Sequence, residues 1–102
     1  MKTIQQVRFQ LRAGSFDFSR HAFRRAAERN ISEQDIRQAG SQAAVIESYP
    51  HDKYSPSCLL LGFTAVGRPL HIQVSLADTE MVRIVTLYEP NPDEWTDYSL
   101  RR

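Results

Sequence analysis

The chain has 102 residues and a formal net charge of +1, and 41% of its residues are hydrophobic and 25% charged. This size allows one domain around one hydrophobic core, and the composition excludes a disordered, fibrous or disulfide-rich protein. No apolar run approaches the ~18 residues of a membrane-spanning helix, and the N-terminus lacks the apolar centre of a signal peptide. We therefore expect a cytoplasmic protein without a membrane partner, formed by a single domain over 1–102. Its predicted parts are an N-terminal helix within 1–14, a core over 16–95 and a C-terminal tail over 96–102.

Three helices are predicted in the first 40 residues. The first covers 3–12, where apolar residues recur with the i, i+3, i+7 spacing of one helix face, and a glycine follows it. Ser19 can cap a second helix that extends to residue 30. Ser32 opens a third helix over 32–40 with a capping-box pattern, in which Asp35 stands where Glu or Gln is usual.

After residue 40 the pattern becomes that of short strands rich in Val, Ile, Leu, Phe and Tyr, separated by turn residues. Short connections allow only antiparallel pairing of consecutive strands. Helices followed by such a meander indicate the α+β class, with the helices packed on one face of a four-stranded antiparallel sheet. The predicted strands are Ala44–Tyr49, Cys58–Ala65, Pro69–Leu76 and Met81–Glu89. The predicted core residues are Phe23, Ala27, Ile36, Leu60, Ile72, Val74 and Ile84.

Strand alternation predicts which side chains share a face of the sheet. In the third strand the aliphatic residues point one way, and His71 and Gln73 point the other. In the fourth strand strict alternation groups Thr86 and Tyr88 with Ile84, and which face these residues join depends on the strand register. The face that carries His71 is either a binding surface or simply exposed to solvent. The aromatic rings of the C-terminal tail are expected to fold back onto the domain.

Positive charge is concentrated in the first third of the chain. Residues 1–30 contain seven basic and two acidic residues, whereas 31–102 contain six basic and ten acidic residues. Within the second helix, His21, Arg25 and Arg29 recur every four residues and therefore form one stripe. An imidazole beside fixed cations can hold a phosphate and move a proton near it. The alternative interpretation of this stripe is an ordinary solvated face of an amphipathic helix.

Several other chemistries are not indicated. The histidines and Cys58 show no metal-ligand spacing, and no glycine-rich phosphate loop is present, so neither a metal nor a cofactor is expected. Cys58 begins an apolar run and is interpreted as a core residue rather than a nucleophile. The loop around Tyr54 is either the rim of a site or a plain polar connection.

Four segments carry a family resemblance: FSRHAFRRAAERNIS, VIESYPHDKYSPSCLLLGF, GRPLHIQV and IVTLYEPNPDEW. Together they span about Phe16 to Trp95 and resemble a family of small bacterial proteins described as a domain of unknown function, DUF4258. That family is similar to RelE-type and BrnT-type toxins of toxin–antitoxin pairs. The resemblance implies a RelE-like or barnase-like helix-and-sheet architecture and a metal-independent endoribonuclease. The positions that match the family pattern are His21, Arg25, Glu28, Arg29, His71 and Tyr88.

Cleavage of RNA without a metal needs a base, an acid and a cation near one phosphate. We expect His21 to act as the base, because the helix dipole and nearby arginines disfavour its protonation, and His71 to act as the acid. The predicted catalytic residues are His21, His71, Arg25 and Tyr88. The predicted substrate-binding residues are Arg24, Arg29, Glu28, Gln73 and Tyr54. The expected partners are RNA, including mRNA, and a cognate antitoxin protein. The alternative is a non-catalytic module that binds RNA or protein.

Overall fold

The computed structural model describes residues 1–102 as an α+β fold with three helices, a mixed five-stranded sheet and a separate two-stranded hairpin. No helix combines the length and apolarity that crossing a bilayer would require. The helices are α1 (Ile4–Ala13), α2 (Arg20–Glu28) and α3 (Glu33–Ser41). The strands are β1 (Phe16–Phe18), β2 (Ala44–Tyr49), β3 (Ser57–Phe63), β4 (Pro69–Ser75), β5 (Val82–Tyr88), β6 (Trp95–Thr96) and β7 (Leu100–Arg101).

Local hydrogen bonds explain where the helices begin. The hydroxyl of Ser19 accepts from the backbone N–H of Ala22, which satisfies one of the unpaired donors in the first turn of α2. At α3 the capping box predicted from the sequence is present, since Ser32 and Asp35 each accept from the other's backbone N–H. Gly14 ends α1 with φ of 78°, a left-handed conformation that costs glycine little.

The sheet differs from the prediction by one strand. Its order is β1-β5-β4-β3-β2, and the four predicted strands are antiparallel neighbours. The fifth strand, β1, pairs in parallel with β5 at the sheet edge. The prediction of a four-stranded antiparallel sheet is therefore wrong in strand number and in the direction of one pair. Three residues are too few to show strand alternation, and the partner strand lies more than 60 residues further along the chain.

The core lies between the helices and one face of the sheet, and it contains 17 buried residues. Five of the predicted core residues are fully buried there: Ile36, Leu60, Ile72, Val74 and Ile84. Two predictions on α2 are wrong, because Phe23 is 63% exposed and Ala27 is also exposed. The helix is rotated so that Ala22 and Ala26 face the core instead, and their small side chains let α2 approach the sheet closely.

Two glycines permit close packing on this side of the sheet. A Cβ at Gly62 of β3 would lie 2.0 Å from the carbonyl oxygen of Ala39 in α3. A Cβ at Gly40 would lie 2.5 Å from the Cβ of Leu11 in α1. Gly40 thus lies within α3 rather than ending it, and its role is to bring two helices together.

A β-bulge changes the alternation of β5. Gln73 is opposite Thr86, but the next pair joins Val74 to Ile84, so Val85 has no cross-strand partner. The extra residue shifts the following side chains to the other face. Tyr88 therefore lies on the face of His71 and not on the face of Ile84, where strict alternation had grouped it.

The face of the sheet opposite the helices is covered by the C-terminal hairpin β6–β7. Trp95 is 3% exposed, and the ring of Tyr98 packs against Phe63 with centroids 6.3 Å apart. The prediction that these aromatic residues fold back onto the domain is confirmed. The segment 96–102, predicted as a tail, contains most of this hairpin.

Candidate functional site

His71 lies at the centre of the hairpin-covered face, and its side chain is completely buried. Its Nε2 is 2.6 Å from the carbonyl oxygen of Tyr98, which can only accept a hydrogen bond, so Nε2 carries the proton. In the neutral ring Nδ1 is then the acceptor, and it receives the hydroxyl proton of Tyr88 at 3.2 Å. Both ring nitrogens are therefore satisfied within the protein.

Two aromatic rings enclose this imidazole. Trp95 meets it edge-on with centroids 4.5 Å apart, and the Tyr88 ring lies at 5.2 Å. Burial lowers the pKa of His71 below its usual value of 6.5, although the hydrogen bond to the Tyr98 carbonyl opposes this shift. A lowered pKa favours the neutral ring at neutral pH, which is contrary to the predicted role of His71 as the protonated acid.

A surface cavity of about 410 Å³ adjoins the hydroxyl-bearing side chain of Tyr88. Arg29, at the C-terminal end of α2, lines the same cavity and donates from Nη1 to the carbonyl oxygen of Leu87 at 2.8 Å. Burial raises the pKa of Tyr88 above 10, so the phenol stays protonated at neutral pH. The cavity is therefore lined by a cation and by a tyrosine whose hydroxyl donates to His71. Its other lining residues are Arg68, Glu89, Asn91 and Glu94.

Arg68 lies next to Arg29 at the cavity, and the sequence did not indicate this contact. Its guanidinium donates to the carbonyl oxygens of Arg29 and Asn30 at 2.9 and 2.8 Å and to Glu89 at 2.7 Å. It also lies 3.5 Å from the carboxylate of Asp35. Arg68 thus connects the end of α2, the start of α3 and the end of β5, and this arrangement holds Arg29 beside the cavity.

The remaining charged residues of α2 are on its surface. His21 and Arg24 are exposed, and Arg25 donates to Glu28 at 3.1 Å. This ion pair joins two half-exposed side chains, so its contribution to stability is small. Of the predicted stripe, Arg29 alone lines the cavity; Arg25 and Glu28 pair with each other, and His21 is free on the helix surface.

The structure does not bring His21 and His71 together. α2 packs on the core side of the sheet through Ala22 and Ala26, whereas the His71 ring lies on the opposite side, beneath the hairpin. A phosphate beside His21 could not touch a side chain that is 0% exposed. The predicted pairing of the two imidazoles at one phosphate is therefore wrong for this arrangement.

Gln73 and Tyr54 lie away from the α2 cavity. Gln73 donates to the carboxylate of Asp52 at 3.3 Å and to the hydroxyl of Ser57 at 3.1 Å. Tyr54 is 90% exposed on the loop between β2 and β3, with the Lys53 ammonium 5.4 Å from its ring centroid. Gln73 thus belongs to a separate polar region on the face of His71, and Tyr54 lies on the exposed loop.

Glu47 and Arg101 form an ion pair that the sequence did not predict. Arg101 donates to the two carboxylate oxygens of Glu47 at 2.7 and 3.1 Å, and the Tyr49 hydroxyl donates to the same carboxylate. Hydrogen bonding from Arg101 lowers the pKa of Glu47, and burial raises that of Tyr49. The Arg101 guanidinium also lies 4.6 Å from the Trp95 ring centroid. Period-2 spacing places Glu47 and Tyr49 on one face, but nothing in the sequence points to Arg101.

The structure contains no group of three or more His, Cys, Asp or Glu side chains that could hold a metal ion. Cys58 is 3% exposed in the core, and burial raises the pKa of its thiol to about 11. A thiol of that pKa is almost entirely protonated at neutral pH and is a poor nucleophile.

Comparison with known proteins identifies the family to which this chain is similar. A family model described as "Domain of unknown function (DUF4258)" matches residues 18–89, which include α2, α3, the strands β2 to β5 and the cavity residues Arg29 and Tyr88. The match confirms the family indicated by the four sequence segments. Neither the curated proteins nor the solved structures yield a significant match to the chain.

Proposed function

We propose that this chain, which belongs to the DUF4258 family, is a toxin-like, metal-independent endoribonuclease. Its proposed site of cleavage is the cavity lined by Arg29 and Tyr88. The likeness to RelE-type and BrnT-type toxins, and to their helix-and-sheet architecture, is part of this proposal. The observation that carries it is that the side chains of Arg29 and Tyr88 line one open cavity at the end of a basic helix.

RNA binding is assigned to the surface of α2. Arg24 is exposed, Arg25 is half-exposed, and Arg29 uses one N–H on Leu87 and has further donors for a phosphate. Arginine suits this role because its planar guanidinium can bind phosphate oxygens in pairs. RNA would run along the helix and place one phosphate at the cavity.

Tyr88 is the proposed proton donor of the reaction. When a 2′-oxygen attacks the adjacent phosphorus, the bond to the 5′-oxygen breaks, and that oxygen needs a proton. The Tyr88 hydroxyl would supply it, and Arg29 would stabilise the negative charge that develops on the phosphoryl oxygens. His71 is a positioning residue here, because its Nδ1 accepts the single phenolic proton at rest and fixes the place of the hydroxyl. This hydrogen bond has to break before the proton passes to the 5′-oxygen, and the phenolate then regains a proton from water. Glu94, a carboxylate that lines the same cavity, is the proposed acceptor of the 2′-hydroxyl proton, because His21 lies about 12 Å from Arg29 along α2 and outside the cavity.

Incubation of the full chain with a labelled RNA in EDTA tests this function. We expect cleavage that leaves 2′,3′-cyclic phosphate ends, and we expect Tyr88→Phe to slow it by about 100-fold or more while RNA affinity is retained. Tyr98→Phe is the matched control, since that residue contacts His71 through its backbone carbonyl and not its hydroxyl. Equal rates for wild type and Tyr88→Phe would refute the role of Tyr88.

A non-catalytic RNA-binding module is the second candidate. It is favoured by one observation, that both nitrogens of His71 are satisfied internally, as in a purely structural histidine. Binding without cleavage by the wild-type chain would support it. In either case the affinity should fall with rising salt, and Arg29→Gln should reduce the salt slope by about one phosphate contact.

A cognate antitoxin remains a proposed partner of this function. If the chain is a toxin, its expression in a bacterial cell should arrest growth, and Tyr88→Phe should relieve the arrest at an equal protein level. Growth arrest that is unchanged in Tyr88→Phe would separate toxicity from the proposed chemistry.

A further inference from the structure

The opposite flank of α2 carries an apolar groove that the proposed ribonuclease site does not use. Phe23 is 63% exposed and meets Phe18 edge-on with ring centroids 5.9 Å apart. The groove has a volume of about 300 Å³, which is room for a few apolar side chains. It is lined by Phe18, Phe23, Ala26, Ala27, Ile31 and Glu33. A large aromatic ring held in the open beside other apolar residues is typical of a docking surface.

An open strand edge borders this groove. β1 is the outermost strand of the sheet and pairs on one side, with β5. Ser15 and Ser19 direct their backbone groups to β5, with the Ser15 carbonyl accepting from Val82 at 3.2 Å and the Ser19 N–H donating to Ile84 at 3.0 Å. By strand alternation the backbone groups of Phe16 and Phe18 face away from the sheet. These groups are therefore not hydrogen-bonded to β5, and Phe18, which is partly exposed, is the more accessible to an added strand, since Phe16 is 7% exposed.

Two arginines and one carboxylate, that of Glu33, lie beside the groove, so the charge there is net positive and favours an acidic partner. Arg20 and Arg24 are exposed on α2 next to Phe23, and neither belongs to any of the ion pairs in the molecule. A second copy of this chain would bring the same arginines into mutual repulsion across the interface. A segment with acidic residues would instead pair with them.

We propose that this groove and the β1 edge form the docking site of an extended, acidic and apolar polypeptide segment of a partner protein. The segment adds a strand to β1, inserts apolar side chains beside Phe23, and places carboxylates near Arg20 and Arg24. Arg25 and Arg29 are about 200° and about 240° around the helix from Phe23, so phosphate binding at these two residues uses another flank of α2. Arg24, about 100° from Phe23, lies between the two surfaces. The inference does not depend on ribonuclease activity.

Two synthetic peptides of 12 residues test the docking site on the full chain. One alternates Val with Glu, and the other alternates Val with Lys. Fluorescence anisotropy of the labelled peptides gives their affinities, and backbone amide shifts in NMR spectra locate the bound peptide. We expect the Glu peptide to bind and to perturb the amides of Phe16 and Phe18, and the Lys peptide to bind at least about tenfold more weakly.

A matched pair of substitutions identifies the aromatic contact. Phe23→Ala should weaken binding of the Glu peptide by about tenfold, because an exposed aromatic anchor is lost. Phe9→Ala should leave it unchanged, since Phe9 is exposed to the same degree, 62%, but lies on α1. RNA affinity and cleavage should be unaffected by either change, which separates this test from that of the proposed function. Absence of binding by the Glu peptide, equal binding of the Lys peptide, or an unchanged affinity in Phe23→Ala would each overturn the proposal.

Discussion

The two faces of the sheet are held by different kinds of interaction. On the helix face, 17 buried residues from the helices and strands pack into one continuous apolar cluster. On the other face, a short C-terminal hairpin covers polar side chains, and its main contacts are the His71–Tyr98 hydrogen bond, the Arg101–Glu47 ion pair and a few aromatic contacts. The first face is stabilised by buried area spread over many residues, and the second by a small number of directional bonds.

This difference predicts where the molecule opens first. Segments with few buried apolar contacts open locally at a lower free energy than the core. The hairpin should therefore undock without unfolding the helices. Such opening would expose His71 and Glu47, which the closed structure buries or largely covers. Three predictions test the contrast between the two faces.

The helix face should tolerate no added volume at Gly62. In Gly62→Ala the new methyl would meet the backbone of Ala39, which cannot move aside as a side chain can. We expect a loss of about 3 kcal/mol in the free energy of unfolding, measured with urea. Gly67→Ala is the control, since that position has open space and a φ of +84°, and it should cost only about 1 kcal/mol. Similar losses in both variants would contradict close packing at Gly62.

The hairpin face should depend on pH through His71. Because burial lowers its pKa in the folded protein, the unfolded chain binds this proton more readily in the interval just below pH 6.5. The stability contributed by neutral His71 is complete above pH 6.5 and declines as the pH falls through that interval. His71→Gln should remove this part of the pH dependence and cost roughly 1–3 kcal/mol through lost hydrogen bonds. An unaltered pH profile in the variant would show that another group causes the decline.

The smallest effect is expected from Arg101→Gln. Arg101 is 62% exposed, so its pair with Glu47 contributes less than about 1 kcal/mol to global stability. Trp95, the only tryptophan, should nevertheless become more accessible to acrylamide quenching, because the hairpin loses its link to β2. Arg83→Gln is the control, since it removes a surface ion pair with Asp17 that does not touch the hairpin. Unchanged quenching in Arg101→Gln would mean that the aromatic contacts alone hold the hairpin closed.

Local sequence patterns predicted the helices and strands, but they did not predict for every strand which side chains lie on which face of the sheet. Three helices and four strands were found close to their predicted bounds, because caps, turns and periodicity act over a few residues. The face of β4 was also predicted correctly, since strict alternation separates His71 from Ile72. The same rule failed in β5, where the bulge at Val85 moved Tyr88 to the other face. A bulge arises from pairing with β4, and the sequence of one strand does not contain it.

For the candidate site, the sequence by itself determined the inventory of side chains: a basic second helix, and a strand on which His71 points away from the aliphatic residues. The tertiary structure alone decided which of these side chains meet. It placed Arg29 beside Tyr88, separated His21 from His71, and closed the C-terminal hairpin over His71 through Arg101. Spacing within one helix or strand is set by local backbone geometry, whereas these contacts join residues dozens of positions apart. They depend on how helices, sheet and hairpin pack together, and no local pattern encodes that arrangement.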